Sequence, residues 1–126
     1  LIDFLSVSDV LLLHANQIDL YGGELGVRDW GLLASAVAQP QATMGGELLH
    51  KFPFGTAAAY LFHLVQNHSF VDGNKRTGAV SALVFLDLND IEFEASLGSL
   101  YELTMAVATG QADKVRIAEY FQQHGT

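Results

Sequence analysis

No cysteine occurs anywhere in the 126 residues, so disulfides are excluded, and the redox compartment is left open by that fact alone. Positive charge is scarce. Three lysines and three arginines stand against fourteen acidic residues, for a formal net charge of −8. A surface of that sign repels polyanions, so neither direct nucleic-acid binding nor attachment to anionic membranes is expected. No apolar run reaches the ~20 residues of a membrane-spanning helix, and no signal-peptide pattern precedes the first helical stretch. The cytoplasm is the expected compartment. Repeats, linkers and low-complexity tracts are also lacking. What is present is a chain that is 50% hydrophobic and only 16% charged, with the balance of a globular protein. Its length suits a single domain spanning residues 1–126 with a real core.

The pattern along the chain reads as helix throughout. Ser6 and Asp9 have the spacing of a capping box, with Leu5 and Val10 placed to staple the start of a helix that runs to Tyr21. Gly22-Gly23 stops it. Asp29 caps a shorter helix from Trp30 to about Ala38, ended by Gln39-Pro40. Residues 41–53 are the least patterned and contain a Gly45-Gly46 turn, so any strand is expected in a flap there. Gly55 to Asn67 has a broad apolar face of Tyr60, Leu61, Leu64 and Val65. A polar loop leads into a helix over 74–88. Asn89-Asp90 then turns the chain, with a short extended piece over 91–93. Ser96 or Ser99 starts the next helix, which Gly110 stops, and Asp113 caps the last, whose inward face is read as Val115, Ala118, Tyr120 and Phe121. The fold class is all-α: a compact bundle of about six helices around a buried 74–88 helix.

That helix and the loop before it, His68 to Gly78 (HSFVDGNKRTG), concentrate the chemistry. Residues 79–88 are apolar except Ser81 and Asp87, the composition of a buried helix. Its N-terminus offers unpaired backbone N–H groups, the positive dipole end and two of the six cations, Lys75 and Arg76. Those features suit an anion such as phosphate. His68 holds or releases a proton near neutral pH and is the candidate general base. Asp72 is a hard oxygen ligand suited to a Mg²⁺ held mainly by nucleotide phosphates. Gly73 lets main chain approach those phosphates, Asn74 supplies an amide and a backbone N–H, Lys75 a compact charge and Arg76 a planar fork. Phe70 is read as the loop's anchor in the core.

Singly, each of these residues has a plainer use. His68 alone is more often a hydrogen-bonded, half-buried histidine, Asp72 a turn residue and Asn74 a cap. Arg28 is read as a loop salt bridge sooner than as a second phosphate contact. His14, His50, His63 and His124 lack metal-ligand spacing and are read as structural or exposed.

Together they form a pattern. HSFVDGNKRTG resembles the signature loop of the Fic/Doc (Fido) family, H-x-F-x-[DE]-[AG]-N-[GK]-R. His68, Phe70, Asp72, Gly73, Asn74, Lys75 and Arg76 all fall on its positions. Leu11–Gly23 and Gly26–Pro40 are also similar to segments of Doc-like chains. Fic proteins that transfer adenylyl groups usually read H-P-F-x-x-G-N-G-R-x-x-R; here Ser69, Lys75 and Ala79 replace the proline, the second glycine and the final arginine. Those departures are the ones of the Doc branch. The resemblance implies a toxin of a toxin–antitoxin pair that moves the γ-phosphate of ATP, with Mg²⁺, to a protein hydroxyl. In Doc-like toxins the acceptor is a threonine of the elongation factor that delivers aminoacyl-tRNA. The alternatives are a Fic-type adenylyltransferase using the same His68, and a catalytically silent nucleotide- or partner-binding module. Many Fic proteins also carry an inhibitory helix, [ST]-x-x-x-E-[GN]. Only Thr43–Leu48 (TMGGEL) approaches that pattern, and it fails at the last position, so control by a separate antitoxin chain is expected.

Overall fold

Helix α1 (Val7–Tyr21) begins at the expected cap. Ser6 Oγ accepts from Asp9 N at 3.1 Å while Asp9 Oδ2 accepts from Ser6 N at 2.8 Å. Reciprocal capping of this kind is worth about 1 kcal/mol. The computed structural model describes residues 1–126. After α1 come α2 (Trp30–Ala38), a 3-10 turn (Gln39–Gln41), a hairpin of β1 (Thr43–Met44) and β2 (Glu47–Leu48), α3 (Phe54–Gln66), α4 (Asn74–Leu88), α5 (Leu97–Ala108) and α6 (Lys114–His124). Asp29, Ser96 and Asp113 cap α2, α5 and α6 through their side chains.

The hairpin pairs Thr43 with Leu48 and Met44 with Glu47, around Gly45 and Gly46 at positive φ. It is the whole of the sheet structure. Thr43–Leu48 is therefore extended chain, and no helix of the inhibitory kind forms there.

The centre of the bundle is the α3–α4 pair. Thr56 to Leu61 of α3 are all buried, as are Leu64 and Val65. Gly78 of α4 makes the close packing possible: a Cβ there would lie 2.8 Å from Val65 Cγ2 and 3.1 Å from the Leu61 carbonyl oxygen. Ala82, Phe85 and Leu86 complete the buried side of α4. Each large side chain so enclosed contributes about 1.5–3 kcal/mol. The opposite stripe, Ala79, Val80 and Leu83, is only half-buried and lines an open groove. So the apolarity of α4 on nearly every side serves two surfaces.

Tyr60 ties the N-terminal segment to this core. Its hydroxyl accepts from Leu5 N at 2.8 Å and donates to Leu5 O at 3.3 Å, all out of contact with water. On α6 the inward face differs from the sequence reading. Tyr120 and Phe121 are buried and Ala118 is half-buried, but Val115 is 67% exposed and Ile117 takes the core position. The helical period from Phe121 returns to Ile117, four residues back, whereas Val115 lies six back on another face.

Candidate active site

α3 ends at Gln66, and the chain reverses through Asn67 and His68 before entering α4. His68 sits in the left-handed region at φ 50° with its side chain exposed. A strap from the segment before α2 holds this turn. Arg28 Nη2 donates to Asn67 O at 3.3 Å, Arg28 Nε to His68 O at 2.7 Å, and the backbone N–H groups of Arg28 and Asp29 to Ser69 O at 2.7 and 3.1 Å. Val27 and Phe70 form an isolated antiparallel bridge, and Asn67 Nδ2 donates to Leu32 O at 2.9 Å. Arg28 is thus neither a salt bridge nor, in this conformation, a free phosphate contact. Its guanidinium is spent on two main-chain carbonyls of the histidine turn.

Phe70 is buried and anchors the loop. Asn74 secures it further: Phe70 N donates to Asn74 Oδ1 at 2.9 Å, and Asn74 Nδ2 donates back to Phe70 O at 3.0 Å. The Asn74 side chain is therefore a clamp within the loop, and what it offers an anion is its backbone N–H. Gly73, at φ 78°, opens α4. A Cβ there would come within 3.1 Å of Ile18 Cδ1, so the glycine answers both a left-handed backbone and the approach of α1. No side chain caps this helix. Gly73 N is taken by Asp72 Oδ1 at 2.8 Å, and the first helical bond is Thr77 N to Gly73 O at 2.9 Å. The N–H groups of Asn74, Lys75 and Arg76 are left pointing out of the positive end of the helix.

Asp72 is exposed. Besides Gly73 N, its carboxylate accepts from Glu24 N at 3.3 Å across the Gly22-Gly23 turn. A Cβ at Gly23 would lie 2.7 Å from Asp72 Oδ2. His14, buried on α1, fixes the residue from behind. Its Nε2 lies 2.8 Å from Asp72 O, and since a carbonyl only accepts, the proton is on Nε2. The ring stacks on Phe70 at 3.8 Å and 5°. No cluster of three His, Asp or Glu side chains exists that would hold a metal unaided. A single exposed carboxylate beside free N–H groups fits a hard cation whose other ligands are phosphate oxygens and water, as is usual for Mg²⁺.

Lys75 is exposed and unconstrained, whereas Arg76 is not free. Its Nη2 donates to Gly22 O at 3.0 Å and its Nη1 to Gln17 O at 3.4 Å, with the guanidinium carbon 6.0 Å from the Tyr21 ring centre. The fork expected to face phosphate is here the cap of α1. From Lys75 and Arg76 a groove of about 710 Å³ runs along the open stripe of α4, between α1 (Gln17, Tyr21) and α5 (Leu97, Leu100, Tyr101, Met105). Tyr21, Leu97 and Tyr101 are all more than 60% exposed, and much of the lining is apolar.

On α3, α6 and the segment before α3, a second polar cluster forms that sequence spacing did not reveal. Lys114 Nζ lies 3.1 Å from His50 Nε2 and 3.0 Å from His63 Nε2, with the Phe62 ring centre 5.5 Å away. An ammonium can only donate, so both imidazoles are acceptors at Nε2 and neutral. Burial, then the Lys114 charge, then His50 push the pKa of His63 down to about 4. Burial followed by the Lys114 charge lowers that of His50, whose Nδ1 is enclosed without a hydrogen-bond partner.

The bundle thus brings an exposed histidine turn close to a helix N-terminus whose first N–H groups are unpartnered, an arrangement with the donors and polarity to receive an anionic group. Comparison with known proteins is specific. The profile of the Fic/DOC family matches residues 4–86, which include the whole histidine turn and most of α4. The chain is 42% identical over 118 residues to a protein named Toxin Doc from Mycolicibacterium smegmatis, covering 92% of this chain and 88% of that one. It is 33% identical over 115 residues to a protein named Protein kinase doc from Escherichia phage P1, covering 91% and 90%. The chain belongs to the Fic/DOC family.

Proposed function

We propose that this chain, as one domain over residues 1–126, is the toxin of a toxin–antitoxin pair acting in the cytoplasm, and that it transfers the γ-phosphate of ATP to a protein hydroxyl. The observation that carries the reading is the exposed His68 beside the unpartnered N–H groups of Asn74, Lys75 and Arg76. In this scheme His68 takes the proton from the acceptor hydroxyl, whose oxygen forms a bond to the γ-phosphorus as the bond to the leaving ADP breaks. The Gly73–Arg76 turn holds the phosphates through N–H groups and the Lys75 charge. Asp72 would hold Mg²⁺, which neutralises phosphate charge when bound. By the family resemblance, the acceptor is a threonine of the elongation factor that delivers aminoacyl-tRNA.

The antitoxin's place in this reading is the groove along α4. Its floor is apolar and its end carries Lys75 and Arg76. It suits an amphipathic helix from a segment disordered when free, with apolar residues inward and a carboxylate toward the two cations. The experiment is transfer from ATP labelled at γ or at α to the elongation factor. Label from γ supports the kinase, label from α makes the chain an adenylyltransferase, and neither leaves a binding module.

A further inference from the structure

We propose that Arg28 is a positioning residue for His68, setting the imidazole by holding the main chain on which it stands. The inference rests on reading His68 as the base. Three consecutive carbonyls, of Asn67, His68 and Ser69, are all satisfied from one strap: two by the Arg28 guanidinium and the third by the N–H groups of Arg28 and Asp29. They are the carbonyls of a turn in which His68 occupies a left-handed backbone, a conformation a non-glycine residue keeps only when its surroundings impose it. The strap is itself fixed. Asp29 Oδ1 caps Leu32 N at 2.9 Å, and Val27 pairs with Phe70 on the far side of the turn.

The His68 side chain, by contrast, is exposed and makes no hydrogen bond that would orient it. Its direction is set by the backbone beneath it. A guanidinium is the group this needs, because its rigid fork donates from Nε and Nη2 to two neighbouring oxygens. A lysine offers its three donors from a single nitrogen and lacks that spacing.

The test uses the full chain with labelled histidine rings, wild type and Arg28→Ala, with Arg28→Lys as a second variant. Arg28 is exposed, so the alanine variant is expected to fold, as circular dichroism will report. In NMR the His68 ring signal should shift or broaden while those of His50, His63 and His124 stay in place. In steady-state transfer kcat should fall about 10²-fold, the scale of a misplaced reacting group, with KM for ATP unchanged. Added guanidinium ion should restore part of the loss in Arg28→Ala, and Arg28→Lys should recover little.

An unperturbed His68 signal overturns the proposal, as does an unchanged kcat. A rise in KM for ATP with kcat held would make Arg28 a phosphate contact instead. If the wild type transfers no label, the proposed reaction has failed, and the ring signal alone still decides whether Arg28 positions His68.

Discussion

Arg76 Nη2 donates to the Gly22 carbonyl at 3.0 Å, so a residue of the candidate site closes the end of α1. That helix has no basic residue in its own last turn, and Arg76 supplies the missing cation from α4. The same guanidinium cannot fully hold these carbonyls and a phosphate in the fork geometry that each prefers. Arg76→Ala should therefore lower stability without any nucleotide, by about 1 kcal/mol from lost charge-assisted capping. Saturating Mg²⁺-ATP should loosen the α1 terminus in the wild type, speeding exchange of the Gly22 amide, now bonded to Ile18 O at 2.8 Å. Unchanged exchange on ATP binding would show that Arg76 stays on α1 and takes no part in phosphate binding.

His68→Ala and Asp72→Asn separate the two halves of the proposed reaction. His68 makes no side-chain hydrogen bond, so its removal should leave Tm and ATP affinity almost unchanged while kcat drops roughly 10²–10⁴-fold. The carboxylate accepts from Gly73 N with Oδ1 and from Glu24 N with Oδ2, so Asp72→Asn keeps an oxygen for only one of the two, the longer Glu24 bond being the one given up, and loses the charge for a cation. Calorimetry should show weaker ATP binding in Mg²⁺ and little change in EDTA. Equal affinity in Mg²⁺ for wild type and variant would remove Asp72 from the metal's coordination.

How much of this could be read from sequence follows from the range over which each interaction acts. Helix starts were legible wherever a cap is local: Ser6, Asp29 and Asp113 each bond to an amide three residues on, and Ser96, which the sequence left level with Ser99, does the same by accepting from Ser99 N. The start of α3 carries no such side-chain bond, and its onset at Phe54 rather than Gly55 has no local signal. The HSFVDGNKRTG turn is contiguous and its residue types stand at fixed spacing, so the candidate site stands out in the sequence as a unit. Its supports were not. Arg28 reaches His68 across 40 residues and His14 reaches Asp72 across 58, and such pairs leave no periodicity to find. Arg76 shows the limit from the other side: its chemistry was legible, but its partners on α1 were not.

Tyr60 gives a stability test independent of function. Its pKa is raised to about 12, chiefly by burial, so the hydroxyl is protonated across the working range and both donates and accepts. Tyr60→Phe keeps the ring against Phe85, whose centroid is 5.3 Å away, but orphans the buried N–H of Leu5. The expected loss is about 1–3 kcal/mol with no change in nucleotide affinity. Chemical denaturation reads it directly. A variant as stable as wild type would mean that Leu5 packing and the paired bonds between Asp3 and Asn89 hold the segment before α1 without the Tyr60 hydroxyl.

The His50–Lys114–His63 cluster predicts how stability responds to acid. His63 has a folded pKa of about 4 against 6.5 in an open chain, because burial and the Lys114 charge oppose its protonation. A depressed pKa on a base means that the unfolded chain binds the proton first. Stability is then fully present above about pH 6.5 and is lost as pH falls from there toward 4, with His50 adding a change of the same sign. The partial exposure of His63 weakens the effect through solvent screening, which leaves about 1–2 kcal/mol. Lys114→Met removes the charge that, after burial, most opposes protonation of His63, and with it the donor to both rings. It should raise the His63 pKa toward 6.5 and flatten the acid dependence between pH 6.5 and 4, although stability at pH 7 falls because two Nε2 acceptors lose their partner. NMR titration of the His63 ring, run beside thermal melts at each pH, measures both quantities. A wild-type His63 that titrates near 6.5 would show that Lys114 and burial do not hold it neutral, and the predicted loss of stability in acid would have no source in this cluster.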